Sequence, residues 1–380
     1  MENFVLYNPV KLHFGSNIIN DLGKTITVYG KRVLLVYGKN SIKENGIYNK
    51  VKSQLKSINA ELFEYCGIKP NPGVEDVDAA SRLGRNSNVD VVLAVGGGSV
   101  IDSAKIISIT IPVSHSAWDF YSGLKKPEKA IPLIVVLTLA ATGTEMNPFA
   151  VLQNHKSKQK LGWGNPLCFP KHSFLDPEFT VTVPKNYTAY GIADLIAHCL
   201  EAYFGKSDAS LSDRIVFAII KEAMENGPAL LDDLKNYALR ENILYAATLA
   251  LNGITMAGRA GGEWGVHDAG HVLSLLYDIP HGASLTIAYP AWLKLMKDRI
   301  PKRIAFLGKN IFNVKTAEDT ISKLEEFFKK IECPVRLEEA GISNDKRQQI
   351  LDTMILNKVS GMHHKLTTDD LNAWLEKMMN

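Results

Sequence analysis

Hydrophobic and polar positions along the chain fall into two regimes. Over the first ~180 residues, apolar runs of strand length alternate with helix-period segments, the signature of an α/β domain. Val33-Leu34-Leu35-Val36-Tyr37 is continuously apolar, which predicts a strand buried on both faces. A helical pattern over 41–58 follows, then a strand at Glu61–Tyr65, a turn at Asn71-Pro72-Gly73 and a helix over 74–86. Further strands are expected at 89–95 and Leu133–Leu137, with a helix over 99–110 between them. Residues 4–14, around Asn8-Pro9, predict a peripheral hairpin or edge. From 146 to 184 the pattern turns irregular around Gly162-Trp163-Gly164-Asn165-Pro166 and predicts a β-hairpin excursion followed by a crossing segment. Beyond 186 strands vanish, and helical periodicity covers 187–204, 209–226, 238–259, 266–277, 283–297, 316–331, 345–357 and 367–378. The shift at Pro184 divides the chain into an α/β domain, 1–184, and an all-helical domain, 185–380.

Composition agrees. A chain of 380 residues is too long for one ordinary core. Hydrophobic content of 46% and charged content of 22% are those of a soluble globular protein. A net charge of +3 without a Lys/Arg block excludes a nucleic-acid groove, and the lysines at 125–129 and 156–160 read as solvated loops. The most apolar run, 131–141, is far short of the ~20 residues that span a bilayer, and the N-terminal stretch lacks the basic leader of a signal peptide. Four scattered cysteines without a CxxC are no disulfide framework, so a reduced cytoplasmic setting is expected.

The densest chemistry lies at 262–282. His267 and His271 are four apart, so on a helix both rings leave one face. Pro280 ends that helix, which puts His281 on the following loop, free to fold back toward that face. Converging imidazoles suggest a metal site. Asp194 and His198 form a second i, i+4 pair on a predicted helix and supply the further ligands. The zincin HExxH pattern does not fit, because Asp268 stands where the glutamate base would be.

Three turns after strands are candidate ligand contacts. Gly96-Gly97-Gly98-Ser99 opens a helix, so its backbone can approach a pyrophosphate closely. Ser99 and Asp102 there make a capping-box-like S-x-x-D. This is not the GxGxxG fingerprint of a generic Rossmann domain. Gly38-Lys39-Asn40-Ser41 follows the strand at 33–37 where NAD enzymes place an acidic residue for the ribose. None stands here, which favours a 2′-phosphate and hence NADP(H). The hydroxyl-rich stretch 138–147, with Thr138, Thr142, Thr144 and Asn147, is the third.

With Gly96-Gly97-Gly98-Ser99-Val100-Ile101-Asp102, the 138–147 segment, Phe174-Leu175-Asp176-Pro177, the Asp194/His198 pair, His267-Asp268-Ala269-Gly270-His271 and His281-Gly282 in order, the chain resembles the iron-containing (group III) alcohol dehydrogenases over essentially its full length. It looks closest to the NADPH-dependent butanol dehydrogenase and aldehyde reductase branch. The resemblance implies an α/β dinucleotide-binding domain, an all-α metal-binding domain of the dehydroquinate synthase-like architecture, and an active site in the cleft between. It implies one divalent metal, Fe²⁺ or Zn²⁺, on Asp194, His198, His267 and His281. NADP(H) is expected on Gly38 to Ser41 and Gly96 to Ser99 with Asp102, beside Thr138, Thr142, Asn147 and Lys160, and a homodimer is expected. A metal there would act as a Lewis acid on an aldehyde carbonyl. His271 is the candidate proton relay, its bland alternative being a hydrogen-bonder that orients the site. Asn147, Phe149 and Trp264 are candidate pocket walls, while Asp268 and Cys199 stay outside the ligand set. Competing readings are an NAD-dependent polyol dehydrogenase, a lyase of the same fold, and a non-catalytic nucleotide- or metal-binding protein. The lyase would want clustered basic residues for a phosphorylated acid substrate, and none is seen near the ligands.

Overall fold

The computed structural model describes all 380 residues. They form two compact units, one of Asn8–Val183 with Lys235–Leu244, the other of Met1–Tyr7, Pro184–Leu234 and Tyr245–Asn380. The changeover after Val183 lies where the hydrophobic pattern changes. The two short segments group against their sequence position, so a single cut at 184 does not describe the units.

The first unit holds eight strands: β1 (Lys11–Phe14), β2 (Arg32–Tyr37), β3 (Glu61–Tyr65), β4 (Val91–Gly96), β5 (Leu133–Leu137), β6 (Phe149–Asn154), β7 (Gln159–Gly164) and β8 (His172–Leu175). Between them run α1 (Leu22–Thr27), α2 (Ser41–Glu44), α3 (Ile47–Ser57), α4 (Val74–Asn86), α5 (Gly98–Thr110) and α6 (Trp118–Tyr121). Six strands make one sheet in the order β1-β8-β5-β4-β2-β3, every pairing parallel. The chain steps from β2 outward to β3, then returns to the opposite side of β2 for β4 and continues outward to β5. The order therefore switches direction between β2 and β4, where open α/β sheets form a crevice at their strand C-termini.

The apolar strands need both faces covered, and both are. Leu34, Val36, Val92, Ala94, Val135 and Leu137 enter one core, while Val33, Leu35, Val91, Leu93, Val95, Ile134 and Val136 enter the other. This is the strict alternation of a pleated strand between two apolar layers. β6 and β7 pair antiparallel as a separate hairpin, as the irregular stretch predicts.

Of the hairpin or edge expected at 4–14, the edge is what forms, since β1 pairs with the distant β8 at the end of the sheet. Other expectations give way. β8 itself lies in what reads as a crossing segment. Its sequence His172-Ser173-Phe174-Leu175 shows little strand pattern, but Ser173 is buried with its hydroxyl donating to the Glu145 carbonyl at 2.7 Å. The helix over 41–58 breaks at Gly46, whose φ of 80° no helix accepts.

The second unit is helical: α7 (Lys185–Phe204), α8 (Ser210–Asp232), the later part of α9 (Tyr237–Ala250), α10 (Gly265–Tyr277), α11 (His281–Met296), α12 (Pro301–Ile311), α13 (Ala317–Lys330), α14 (Arg347–Leu356) and α15 (Thr368–Met379). α11 is its axis, packed against α7, α10, α13 and α15. α8 continues through Pro228 to Asp232, past the expected stop at 226, because Leu230 and Leu231 are buried. α9 stops at Ala250, since Gly253 turns left-handed with φ 104°. α12 falls between two longer periodic segments and outside the helices the sequence predicts, although Pro301 in its first turn is a common helix start.

One buried charge stabilises the loop after β5. Lys105 on α5 is 0% exposed. Its Nζ donates to Thr144 Oγ1 (2.6 Å), Asn147 Oδ1 (3.1 Å) and the Phe149 carbonyl (2.6 Å). Burial pushes its pKa down to about 8, against the opposing pull of Asp102. Removing one partner of such a network leaves the others unpaired, so Lys105→Met is expected to cost about 2–4 kcal/mol in urea unfolding at neutral pH. Lys105 gives up its proton in the folded state near pH 8, whereas the unfolded chain holds it to its ordinary 10.5. The wild type should therefore gain stability with rising pH between those values, by on the order of 1 kcal/mol per unit, and the variant should lack that gain.

Candidate functional site

α7 is buried along most of its length, and a helix buried all round should be apolar all round. Asp194, His198 and Glu201 break that rule, and at i, i+4 and i+7 they share one face. Asp194 is 2% exposed and His267, on α10, is 6%. From Asp194 Oδ1, the Nε2 atoms of His198, His267 and His281 lie at 3.7, 3.8 and 3.7 Å. One donor atom each from Asp194, His267 and His281 falls within 4.8 Å of the others. Ligands bonding a common ion at ~2.1 Å in a tetrahedron stand roughly 3.5 Å apart, so these separations are those of a coordination shell. Asp194 Oδ1 and His267 Nε2 are buried without a hydrogen-bond partner, which a folded protein rarely tolerates. The donor set therefore fits a divalent cation.

His281 is not on a loop. It is the first residue of α11, with Pro280 as N-cap. Proline before a helix fixes the entry backbone, so the side chain is aimed by secondary structure and not by loop folding. The approach depends on Gly282. A Cβ there would stand 2.1 Å from the Tyr190 carbonyl oxygen, so only glycine lets the start of α11 lie on the backbone of α7 one turn before Asp194.

The charges are organised for a dication. Burial acts to raise the Asp194 carboxyl, but His198, His281 and His267 outweigh it and hold it below the ordinary carboxylate range. Burial pushes His198 down to about 4, and the neighbouring His267 adds to this against the pull of Asp194. Burial likewise opposes protonation of His267, yet Asp194 and Glu201 lift it to about 9.

Trp264 lies edge-on to His267 with centroids 5.3 Å apart. His271 stacks on His281, also at 5.3 Å, and is buried, whereas the side chain of His281 is 26% exposed. Cys199 is fully buried with its thiol pushed far up. Asp268, raised to about 7 by burial and by Glu201, is not among the donors. Glu201 escaped the reading of the sequence. The signal was there, in its place on the Asp194/His198 face.

In the first unit the turns Gly38-Lys39-Asn40-Ser41, Gly96-Gly97-Gly98-Ser99 and 138–142 follow β2, β4 and β5, which are adjacent and in register. They share one sheet edge, at the switch point. α5 begins at Gly98 with Gly97 as N-cap and no side chain capping it, so the expected capping box is not formed. Asp102 instead accepts from Thr144 Oγ1 (2.6 Å) and the Val151 N–H (2.8 Å). Thr138 N–H bonds the Gly96 carbonyl at 3.1 Å. A Cβ on Gly98 would meet Thr142 Cγ2 at 2.7 Å. Asn147 donates to the Gly143 carbonyl and accepts from Lys105 and Phe149 N–H, Lys160 Nζ donates to Asn71 Oδ1 at 2.6 Å, and the Phe149 side chain is exposed.

Family models described as iron-containing alcohol dehydrogenase and as Fe-containing alcohol dehydrogenase family, C-terminal, match residues 9–177 and 188–379. The chain belongs to the iron-containing alcohol dehydrogenase family. It is 42% identical to a probable NADH-dependent butanol dehydrogenase of Bacillus subtilis, over 99% of each chain. It is 32% identical to an NADPH-dependent aldehyde reductase of Escherichia coli, over 97% of each. The crystal structure of an NADH-dependent butanol dehydrogenase from Thermotoga maritima superposes with a TM-score of 0.97 at 38% identity, covering 100% of this chain and 99% of that one. The protein is thus an alcohol dehydrogenase built as a parallel-sheet unit followed by a many-helix unit.

Gly282→Ala touches no donor atom, but it forces α11 off α7. It should lower Zn²⁺ affinity by at least about tenfold in a chelator competition, an effect the size of losing an orienting contact.

Proposed function

We propose that this alcohol dehydrogenase is a metal-dependent NADP(H) enzyme interconverting short- to medium-chain aldehydes and primary alcohols. The observation that carries the reading is the pair of buried, partnerless atoms Asp194 Oδ1 and His267 Nε2, with the Nε2 atoms of His198, His267 and His281 gathered within 3.8 Å of Asp194 Oδ1. Names among the relatives, butanol dehydrogenase and aldehyde reductase, support the substrate class. When bound, a divalent ion supplies Lewis acidity toward a carbonyl and the reduced nicotinamide supplies hydride.

The chain's own residues do the rest. Asp194, His198, His267 and His281 hold the ion, and their mix of carboxylate and imidazole suits Fe²⁺ or Zn²⁺. The uncapped N-terminus of α5, with Gly96, Gly97, Gly98 and Ser99, receives the pyrophosphate. Thr138, Thr142, Lys160, Asp102 and Asn147 shape that edge. Trp264 limits water at the ligands, and His271 passes a proton toward solvent.

For the 2′-phosphate, support comes from Gly38, Lys39, Asn40 and Ser41, a turn without a carboxylate. Glu64 on the neighbouring strand is committed to the hydroxyls of Tyr37 and Tyr48, at 2.9 Å each. Relatives at 37–42% identity are named for NADH and one at 32% for NADPH, so this choice rests on the turn. We further infer a cytoplasmic homodimer. Its supports are four free cysteines, no helix long and apolar enough to cross a membrane, the edge strand β1, and exposed Phe4, Val5, Leu6 and Tyr7.

The deciding assay follows NADPH and NADH oxidation with butyraldehyde. It uses chelator-stripped protein reconstituted anaerobically with Fe²⁺ or Zn²⁺. Turnover should require metal, with kcat/KM for NADPH at least about tenfold above NADH, or ~1.4 kcal/mol. NADH ahead would reassign the cofactor alone, and no aldehyde turnover with metal and nucleotide bound would favour the non-catalytic reading. Gly98→Ala, which crowds Thr142, should weaken nucleotide binding at least about tenfold in a fluorescence titration while metal content stays unchanged.

A further inference from the structure

Glu201 is 0% exposed and lies on the face of α7 that carries Asp194 and His198. Its Oε2 accepts the Trp264 N–H at 2.6 Å. Its Oε1 accepts the His267 N–H at 3.1 Å and lies 2.8 Å from His267 Nδ1. Trp264 is the N-cap of α10, held left-handed at φ 62° and with no capping side chain of its own. A carboxylate borrowed from another helix thus satisfies the first turn of α10, where negative charge is also favoured by the helix dipole.

The same oxygen has a chemical consequence. A carboxylate offers only acceptors, so the imidazole nitrogen beside it must be the donor. Nδ1 of His267 then keeps its hydrogen, and when the ring gives up its other proton the lone pair is left on Nε2. That is the nitrogen 3.8 Å from Asp194 Oδ1.

We propose that Glu201 is a positioning residue that selects the metal-binding tautomer of His267 and docks α10 on α7, holding Asp194, His198 and His267 in one register. It acts through His267, not on the substrate. The inference rests on the metal reading above and names the residue that orients its central histidine. An amide cannot replace the carboxylate without turning a donor toward one of the three N–H groups.

The test is Zn²⁺ affinity of the full-length protein by competition with a chromophoric chelator, wild type first and then Glu201→Gln, with folding checked by circular dichroism. Wild type should bind one Zn²⁺, and E201Q should bind it about 10–100-fold more weakly. A folded E201Q that binds within about twofold of wild type would make Glu201 a helix cap only and overturn the proposal. Should E201Q not fold, Zn²⁺-loaded wild type with ¹⁵N-labelled histidine decides. A slowly exchanging His267 Nδ1–H, with Nε2 shifted by coordination, supports the assignment, whereas coordination through Nδ1 overturns it. A wild type that binds no Zn²⁺ at any stage overturns the metal reading itself, and the order of titration keeps the two failures apart.

Discussion

The burial of ionisable groups on one face of α7 is the constraint around which the helical unit is arranged. A carboxylate taken out of water needs hydrogen bonds or opposite charge, and the cost of leaving it bare is several kcal/mol. Asp194 and Glu201 are both in that position, and α7 itself offers only His198 to Asp194 and nothing to Glu201. Relief comes from α10 and α11, which bring imidazoles to Asp194 and backbone N–H groups to Glu201. The helix contacts are therefore set by chemistry as much as by apolar packing. Small residues mark the places where the backbones must meet, as at Gly282 against Tyr190.

The first unit solves a different problem with a different device. Its parallel sheet buries both faces, so no side chain along the middle of β2, β4 or β5 is available for ligands. Only the strand ends are left uncovered, and the switch in strand order between β2 and β4 places the turns that follow them side by side. The network of Lys105, Asp102, Thr144 and Asn147 then holds the 142–149 loop beside them. A buried lysine costs desolvation, as its lowered pKa records, and that cost is offset by three hydrogen bonds that fix the short 3-10 turn Thr144–Met146 against the start of β6.

Much of this was legible in the order of residues. The apolar runs of β2, β4 and β5, the i, i+4 pairs at 194/198 and 267/271, and the glycine turn at 96–98 are local signals with a single periodic meaning. They give the elements, the order of α/β and helical regions, and Asp194 with two of the three histidines that gather around its Oδ1. What they leave open is decided by partners distant in sequence. β8 is a strand because β1 and β5 pair with it, not because His172-Ser173-Phe174-Leu175 favours one. Asp102 reads locally as a cap and turns instead to Thr144 and Val151. His281 reads as a loop residue after proline, yet Pro280 begins a helix as readily as it ends one, and the packing of α11 on α7 chooses the former. Glu201 looks from its neighbours like any helical glutamate. Only the tertiary structure puts His267 Nδ1 2.8 Å away, because hydrogen bonds are made in space while periodicity is counted along the chain.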